Sequence, residues 1–258
     1  MQEELKKRES RIRELFELSE DVALLAENAL MPVITPRTAE HLARFNIEWH
    51  VIPSETVVPF DENYLRRLYP MRSRDFGIPH HHHHGESLQT SLAAAHRRHQ
   101  GKIVGVETTI KPDYLPGNRQ FYGSPYGFEP TADPLFRYFA RSGFTTATRF
   151  NHNYASLRDL VDMVDSDWRS HDLMPAGFRL TICSPVVFNL VGTVFHEEWS
   201  ETKPLELAAY RDAHGNAVCY AVGSLEPGDF SYVQRVETDA DWTLLGFRAA
   251  LVPLESGR

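Results

Sequence analysis

The chain has 258 residues, 42% apolar and 24% charged, an ordinary globular composition that excludes a disordered or fibrous protein. Its 27 basic and 35 acidic side chains leave a formal charge of −8, a field that repels phosphate backbones, so no nucleic-acid partner is expected. Two cysteines, Cys183 and Cys219, are too few for a disulfide framework, the N-terminal residues are too charged for a secretory leader, and no apolar run could span a bilayer. A reduced, cytoplasmic protein without membrane contact is the expectation.

Leu5, Ile12, Phe16, Val22 and Ala26 recur near helical spacing and predict one helix over 2–30. Its single apolar face suits a homodimer interface or packing within the chain. Pro32 and Pro36 stop it, and Thr38 or a neighbour caps a short helix ending near Phe45. The alternation of IEWHVI predicts a strand over 47–52, and Asp61 predicts an N-cap for a helix over 62–69. Residues 71–86 read as a polar, histidine-rich connection, followed by a helix from a Ser87 cap through His99. β-Branched residues predict a strand over 102–110. Residues 111–134, rich in Pro, Gly and aromatic side chains, read as an ordered loop that is either a lid or a cover for a sheet edge.

A helix over 134–141, a strand over 144–150 and a helix over 156–171 come next. From residue 178 to 253 the chain reads as β-rich, with strands over 178–182, 186–195, 205–210, 217–222, 230–236 and 242–251. Turn chemistry at His214-Gly215-Asn216 and Pro227-Gly228-Asp229 supports hairpins. The expected fold is α+β: N-terminal helices packed on a mainly antiparallel β-sheet or small barrel formed by the C-terminal half, in a single domain over 1–258.

Absent motifs prune the functional classes. The chain has no dinucleotide-binding glycine fingerprint, P-loop, nucleophile-elbow serine or kinase signature. His196-Glu197-Glu198-Trp199 begins a zinc-hydrolase His-Glu-x-x-His motif, but Ser200 stands where the second histidine belongs.

The unusual feature is histidine: 13 in all, five of them consecutive from His80 to His84. In an extended segment His80, His82 and His84 share a face, and Glu86 completes an imidazole and carboxylate set suited to a transition metal. The spacing His80-x-His82-x₃-Glu86 locally resembles the first cupin motif. The glycine expected after Glu86 is missing, and no histidine follows the Pro227-Gly228-Asp229 turn to supply a second motif. A histidine-rich surface loop with no further role has the same sequence.

Two further constellations carry chemistry. On a strand, His196 and Glu198 share one face, as two metal ligands or as a general acid/base pair. Arg149 offers a bidentate grip on a substrate carboxylate, and His152 offers a base or ligand. His96 and His99 read as solvated cations complementing a helix C-terminus, and His50 reads as a satisfied, half-buried histidine.

The functional expectation is a metal-dependent enzyme acting on a small polar metabolite, with a non-haem iron oxygenase favoured. Its metal ligands are His80, His82, His84, Glu86 and His196, and its catalytic residues are Glu198, His152 and Arg149. The cofactor is a divalent transition metal, Fe(II) ahead of Zn(II), Mn(II) or Ni(II). A metal-free lyase, decarboxylase or isomerase, and a non-catalytic ligand-binding module, are the alternatives.

Overall fold

The computed structural model describes residues 1–68, 88–109, 113–115, 119–121, 133–141, 149, 152–200, 205–212, 214–223, 232–239 and 245–254. The fold is α+β. Its helices are α1 (Gln2–Phe16), α2 (Pro36–Arg44), α3 (Glu62–Leu68), α4 (Leu88–His99), α5 (Phe136–Arg141), α6 (Tyr154–Ser170) and α7 (Pro185–Phe195). Its strands are β1 (Ile47–Ile52), β2 (Lys102–Glu107), β3 (Asp113–Leu115), β4 (Arg119–Phe121), β5 (Phe178–Ile182), β6 (Leu205–Arg211), β7 (Ala217–Gly223), β8 (Tyr232–Val236), β9 (Leu245–Phe247) and β10 (Ala249–Pro253).

No small barrel forms among the described residues; the strands make two open four-stranded sheets and the short β3–β4 ladder. The first sheet runs β1-β2-β10-β5 and is antiparallel throughout. The second runs β8-β7-β6-β9, antiparallel except where β9 lies parallel to β6. The chain changes sheets at Arg248. Residues 242–251, expected as one strand, therefore divide: β9 closes the second sheet and β10 enters the middle of the first.

Helix ends explain two more departures from the expected elements. The helix expected over 2–30 stops at Phe16, because Glu17 adopts left-handed backbone at φ 56°. Arg13 then holds the departing chain through the carbonyls of Ser19 at 2.9 Å and Val22 at 2.6 Å. Leu24 is buried all the same, since the strap crosses the ends of β1 and β2: Ser54 N–H donates to Leu24, and Ala26 N–H to Gly101.

Residues 186–195, expected as a strand, form α7. The run is buried on almost every side, so neither helical nor strand periodicity shows in its sequence. Its start signal decides the matter, with Ser184 Oγ accepting from Val187 N–H and Pro185 in the first turn. Likewise Thr35, and not Thr38, caps α2, and Pro36 opens that helix instead of ending one. The caps at Asp61 and Asn153 form as their residue types predict: Asp61 Oδ1 accepts from Tyr64 N–H at 3.0 Å, and Asn153 Oδ1 from Ser156 N–H at 2.9 Å. The expected strand over 144–150, Arg149 apart, and most of the 111–134 loop lie outside the described residues.

Register places Trp49, Gly105, Leu251 and Leu180 in one row across the first sheet. On that face Trp49 meets Phe178 edge-on at 5.1 Å, and α6 covers β5. Gly105 makes room in the row, since a Cβ there would lie 3.0 Å from Ile47 Cγ2 and 3.1 Å from Leu251 Cβ. The opposite face carries Glu48 and His50, beside α1 and the end of α7. No helix among the described residues is long and apolar enough to cross a membrane.

Candidate functional site

Strand alternation puts Glu48 and His50 side by side on β1, and the end of α7 delivers His196 opposite them. His196 caps α7, and Glu197–Ser200 continue as a 3₁₀ turn. His196 Nε2 lies 3.3 Å from Glu48 Oε2, and His50 Nε2 lies 3.9 Å from the same oxygen. One ligand atom from each of the three residues falls within 4.8 Å of the other two. A single cation at the centre would meet two imidazoles and one carboxylate.

The surroundings fix this geometry. His196 Nδ1 sits 2.8 Å from Glu198 Oε1 and its Nε2 3.3 Å from Glu48 Oε2, so each ring nitrogen faces a carboxylate that can accept a hydrogen bond from it. The His196 ring stacks on Trp199 at 4.9 Å, and Arg248 lies 3.7 Å over the other ring system's centre, that of Trp199. Arg8 donates to Glu48 Oε2 at 2.5 Å and also to the Trp49 carbonyl. The bond from His196, followed by the charge of Arg8, holds the Glu48 carboxyl below the usual carboxylate range. His50 is completely buried, and neither of its ring nitrogens has a hydrogen-bond partner among the described residues. Burial, with Arg8 and His196 adding repulsion, pushes His50 well below the ordinary imidazole value, so the ring is neutral.

His196 and Glu198 thus lie together, but through a helix cap and a 3₁₀ turn instead of the strand expected from sequence. His80, His82, His84 and Glu86 lie outside the described residues. Arg149 and His152 sit elsewhere. His152 is buried and stacks on Phe139 at 5.8 Å.

Arg149 is fully buried, and its guanidinium grips two protein carboxylates. Its Nη1 and Nη2 each reach Glu107 at 2.6 Å, while Nε and Nη2 reach Asp133 at 2.7 Å and 2.8 Å. The fork expected to hold a substrate carboxylate is therefore taken up inside the protein, which corrects that expectation. Beside it, Arg248 binds Glu206 at 2.7 Å and 2.9 Å and the carbonyls of Glu107 and Thr109 at 2.8 Å and 2.7 Å. Glu107 ends β2 and Glu206 lies second in β6, so this charged lattice fastens one sheet to the other. Burial pushes the Asp133 carboxyl up, against the pull of Arg149.

His96 is also unlike its sequence expectation. It is fully buried between Phe60 at 5.3 Å and Tyr64 at 5.0 Å, not solvated at a helix end. Both cysteines are buried free thiols, and burial pushes Cys219 up to about 12, which suits a structural role.

Sequence reasoning passed over Glu48 and read His50 as satisfied. The available signal was Glu48-x-His50 on a strand read from its alternation. What it lacked was the third member of the cluster, 146 positions further on from His50 to His196 (196 − 50). No family model, curated protein or solved structure matches the chain, so its functional reading rests on the geometry of its own residues.

Proposed function

We propose that the protein is a metal-dependent enzyme in which Glu48, His50 and His196 hold a divalent transition metal, Fe(II) favoured, that acts on a small polar metabolite. The observation that carries this reading is the convergence of three ligand atoms within 4.8 Å around a completely buried imidazole with no hydrogen-bond partner among the described residues. Two histidines and one carboxylate on one side of a metal leave positions open for dioxygen, water or substrate, the arrangement suited to non-haem iron. Glu198 then serves as the outer carboxylate that orients His196, a role that strengthens such ligands. When bound, the metal would activate dioxygen or a water molecule.

A second reading has its own observation. Arg8 already neutralises Glu48, and His196 bridges the carboxylates of Glu48 and Glu198. A proton on each ring nitrogen of His196 satisfies both carboxylates without metal and makes a general acid/base group for a lyase or isomerase.

Elemental analysis of tag-free protein, purified without a nickel column and reconstituted anaerobically with Fe(II), separates the two. The expected result is about one metal per chain, lost in Glu48→Gln and His196→Gln but kept when the histidines from His80 to His84 are changed to Ser. Circular dichroism checks that each variant is folded. Absence of stoichiometric metal from the folded parent, or metal lost only in the histidine-run variant, overturns the assignment to Glu48, His50 and His196.

A further inference from the structure

At the far edge of the first sheet, β5, α6 and β6 enclose a cleft of about 490 Å³. Its lining charge opposes that of the protein. The chain as a whole carries −8, yet Arg98, Lys102, Arg158, Arg169, Arg179 and Arg211 all line this one cleft, against Asp162 and Asp165.

The internal pairs account for part of that charge. Asp165 takes Arg169 at 2.6 Å and also accepts the Leu180 N–H at 2.6 Å. Arg158 holds Asp159 at 2.7 Å and Asp162 at 4.0 Å. Arg98 and Arg211 are held by carbonyls, those of Asp212 at 3.4 Å and Gly215 at 2.7 Å, and neither has an ion pair among the described residues. Arg179 projects from β5 with neither a hydrogen bond nor an ion pair among those residues. Three guanidiniums from three different elements therefore line one space with no ion-pair partner among the described residues, while Asp162 and Asp165 pair with Arg158 and Arg169. Mutual repulsion makes that arrangement unfavourable unless an anion sits among them.

The other walls define the body of that anion. Val161, Leu180 and Val252 offer apolar surface, and Tyr154 and Tyr210 add aromatic faces. A cleft of this size, partly apolar and closed by a few charged groups, matches a small molecule and is too small for a macromolecule. His99 lines it as well, pushed down to about 3 by burial and by Lys102 and Arg98, so at neutral pH it presents a neutral donor and acceptor.

We infer that this cleft binds a small organic polyanion, its phosphate or carboxylate groups held by Arg98, Arg179 and Arg211 and its body laid against the tyrosine and aliphatic walls. The guanidinium fork pairs with either group in bidentate fashion. The cleft shares no lining residue with the Glu48 cluster, and the strand that carries Arg179, β5, is the edge of the sheet opposite β1. It does not depend on the metal reading.

Titration calorimetry of the full chain with pyrophosphate, ATP and citrate, each at 0.15 M NaCl, tests the inference. Saturable binding of one molecule per chain is expected, weakened at least ten-fold in Arg179→Gln/Arg211→Gln and weakened in the parent at 0.5 M NaCl. Binding of pyrophosphate and ATP alone identifies a phosphorylated ligand, and binding of citrate as well identifies a general polyanion site. Both substituted side chains are exposed, so thermal unfolding should be unchanged, and Glu48→Gln should bind as the parent does. Absence of saturation by any of the three at 5 mM, or affinities unchanged in the double variant, overturns the inference.

Discussion

Arg248 offers the sharpest test of how the two sheets hold together. Replacing it with Met deletes two bonds to the Glu206 carboxylate and two to the carbonyls of Glu107 and Thr109, all in fully buried surroundings. The larger effect is the carboxylate left behind. A buried charge whose partner is removed costs about 3–5 kcal/mol, a large share of a domain's total of about 5–15 kcal/mol. Glu206→Leu strands the guanidinium in the same way and should cost a similar amount. The double variant removes both charges and leaves apolar side chains of similar bulk, so it should fall short of the summed losses by at least about 2 kcal/mol. Urea denaturation at pH 7.5, followed by far-ultraviolet circular dichroism, reads all four proteins. Because the pair is buried, the losses should persist in 1 M NaCl, where a surface pair would be screened. Single variants within about 1 kcal/mol of the parent, or a double variant equal to the sum, would refute the claim that this pair fastens the sheets.

Two further outcomes follow from burial. His96, fully buried, is held at about 4 against an ordinary 6.5, first by burial, so the unfolded chain takes up the proton before the folded one does. Stability is complete above pH 6.5 and falls as pH drops towards 4, and at pH 5 the loss from this residue is about 2 kcal/mol relative to pH 8. His41, also held at about 4 by burial, adds to the same slope, and urea midpoints that coincide at pH 8 and pH 5 would contradict both assignments. Gly105→Ala places a methyl group 3.0 Å from Ile47 and 3.1 Å from Leu251 in the middle of the first sheet, and should lower stability by about 1–3 kcal/mol. A variant as stable as the parent would show that the row has slack.

Much of the fold was legible wherever local chemistry speaks for itself. IEWHVI alternates, Asn153 precedes an amphipathic run, and the strands flanking His214-Gly215-Asn216 pair as a hairpin, so β1, α6, β6 and β7 were all readable. The α7 segment was not, because a fully buried helix rich in Val and Phe has no polar face to mark its period. Only Ser184-Pro185 at its start gave it away. The division of 242–251 was hidden for a different reason: Arg248 looks like one polar residue in an apolar strand, and its carboxylate partner lies 42 residues earlier at Glu206. The same holds for the candidate site. His196 and Glu198 are near neighbours in sequence and were noticed together, whereas Arg8, Glu48 and His196 converge only through the packing of α1, β1 and α7.

The placement of β10 sets a timetable for synthesis. Residues 249–253 fill an inner position of the first sheet, between β2 and β5, so until they have left the ribosome that sheet exists only as a β1–β2 pair and a lone β5. The nascent chain carries the open edge of β2 from residue 107 until β10 emerges, and β5 with the apolar helix α7 joins it unpaired from residue 195. Joining β10 to β2 spans more than 140 residues, from Val106 to Ala250 (250 − 106), which makes closure a late and slow event. A chain released before residue 249 would therefore leave the facing edges of β2 and β5 open to pairing with other strands.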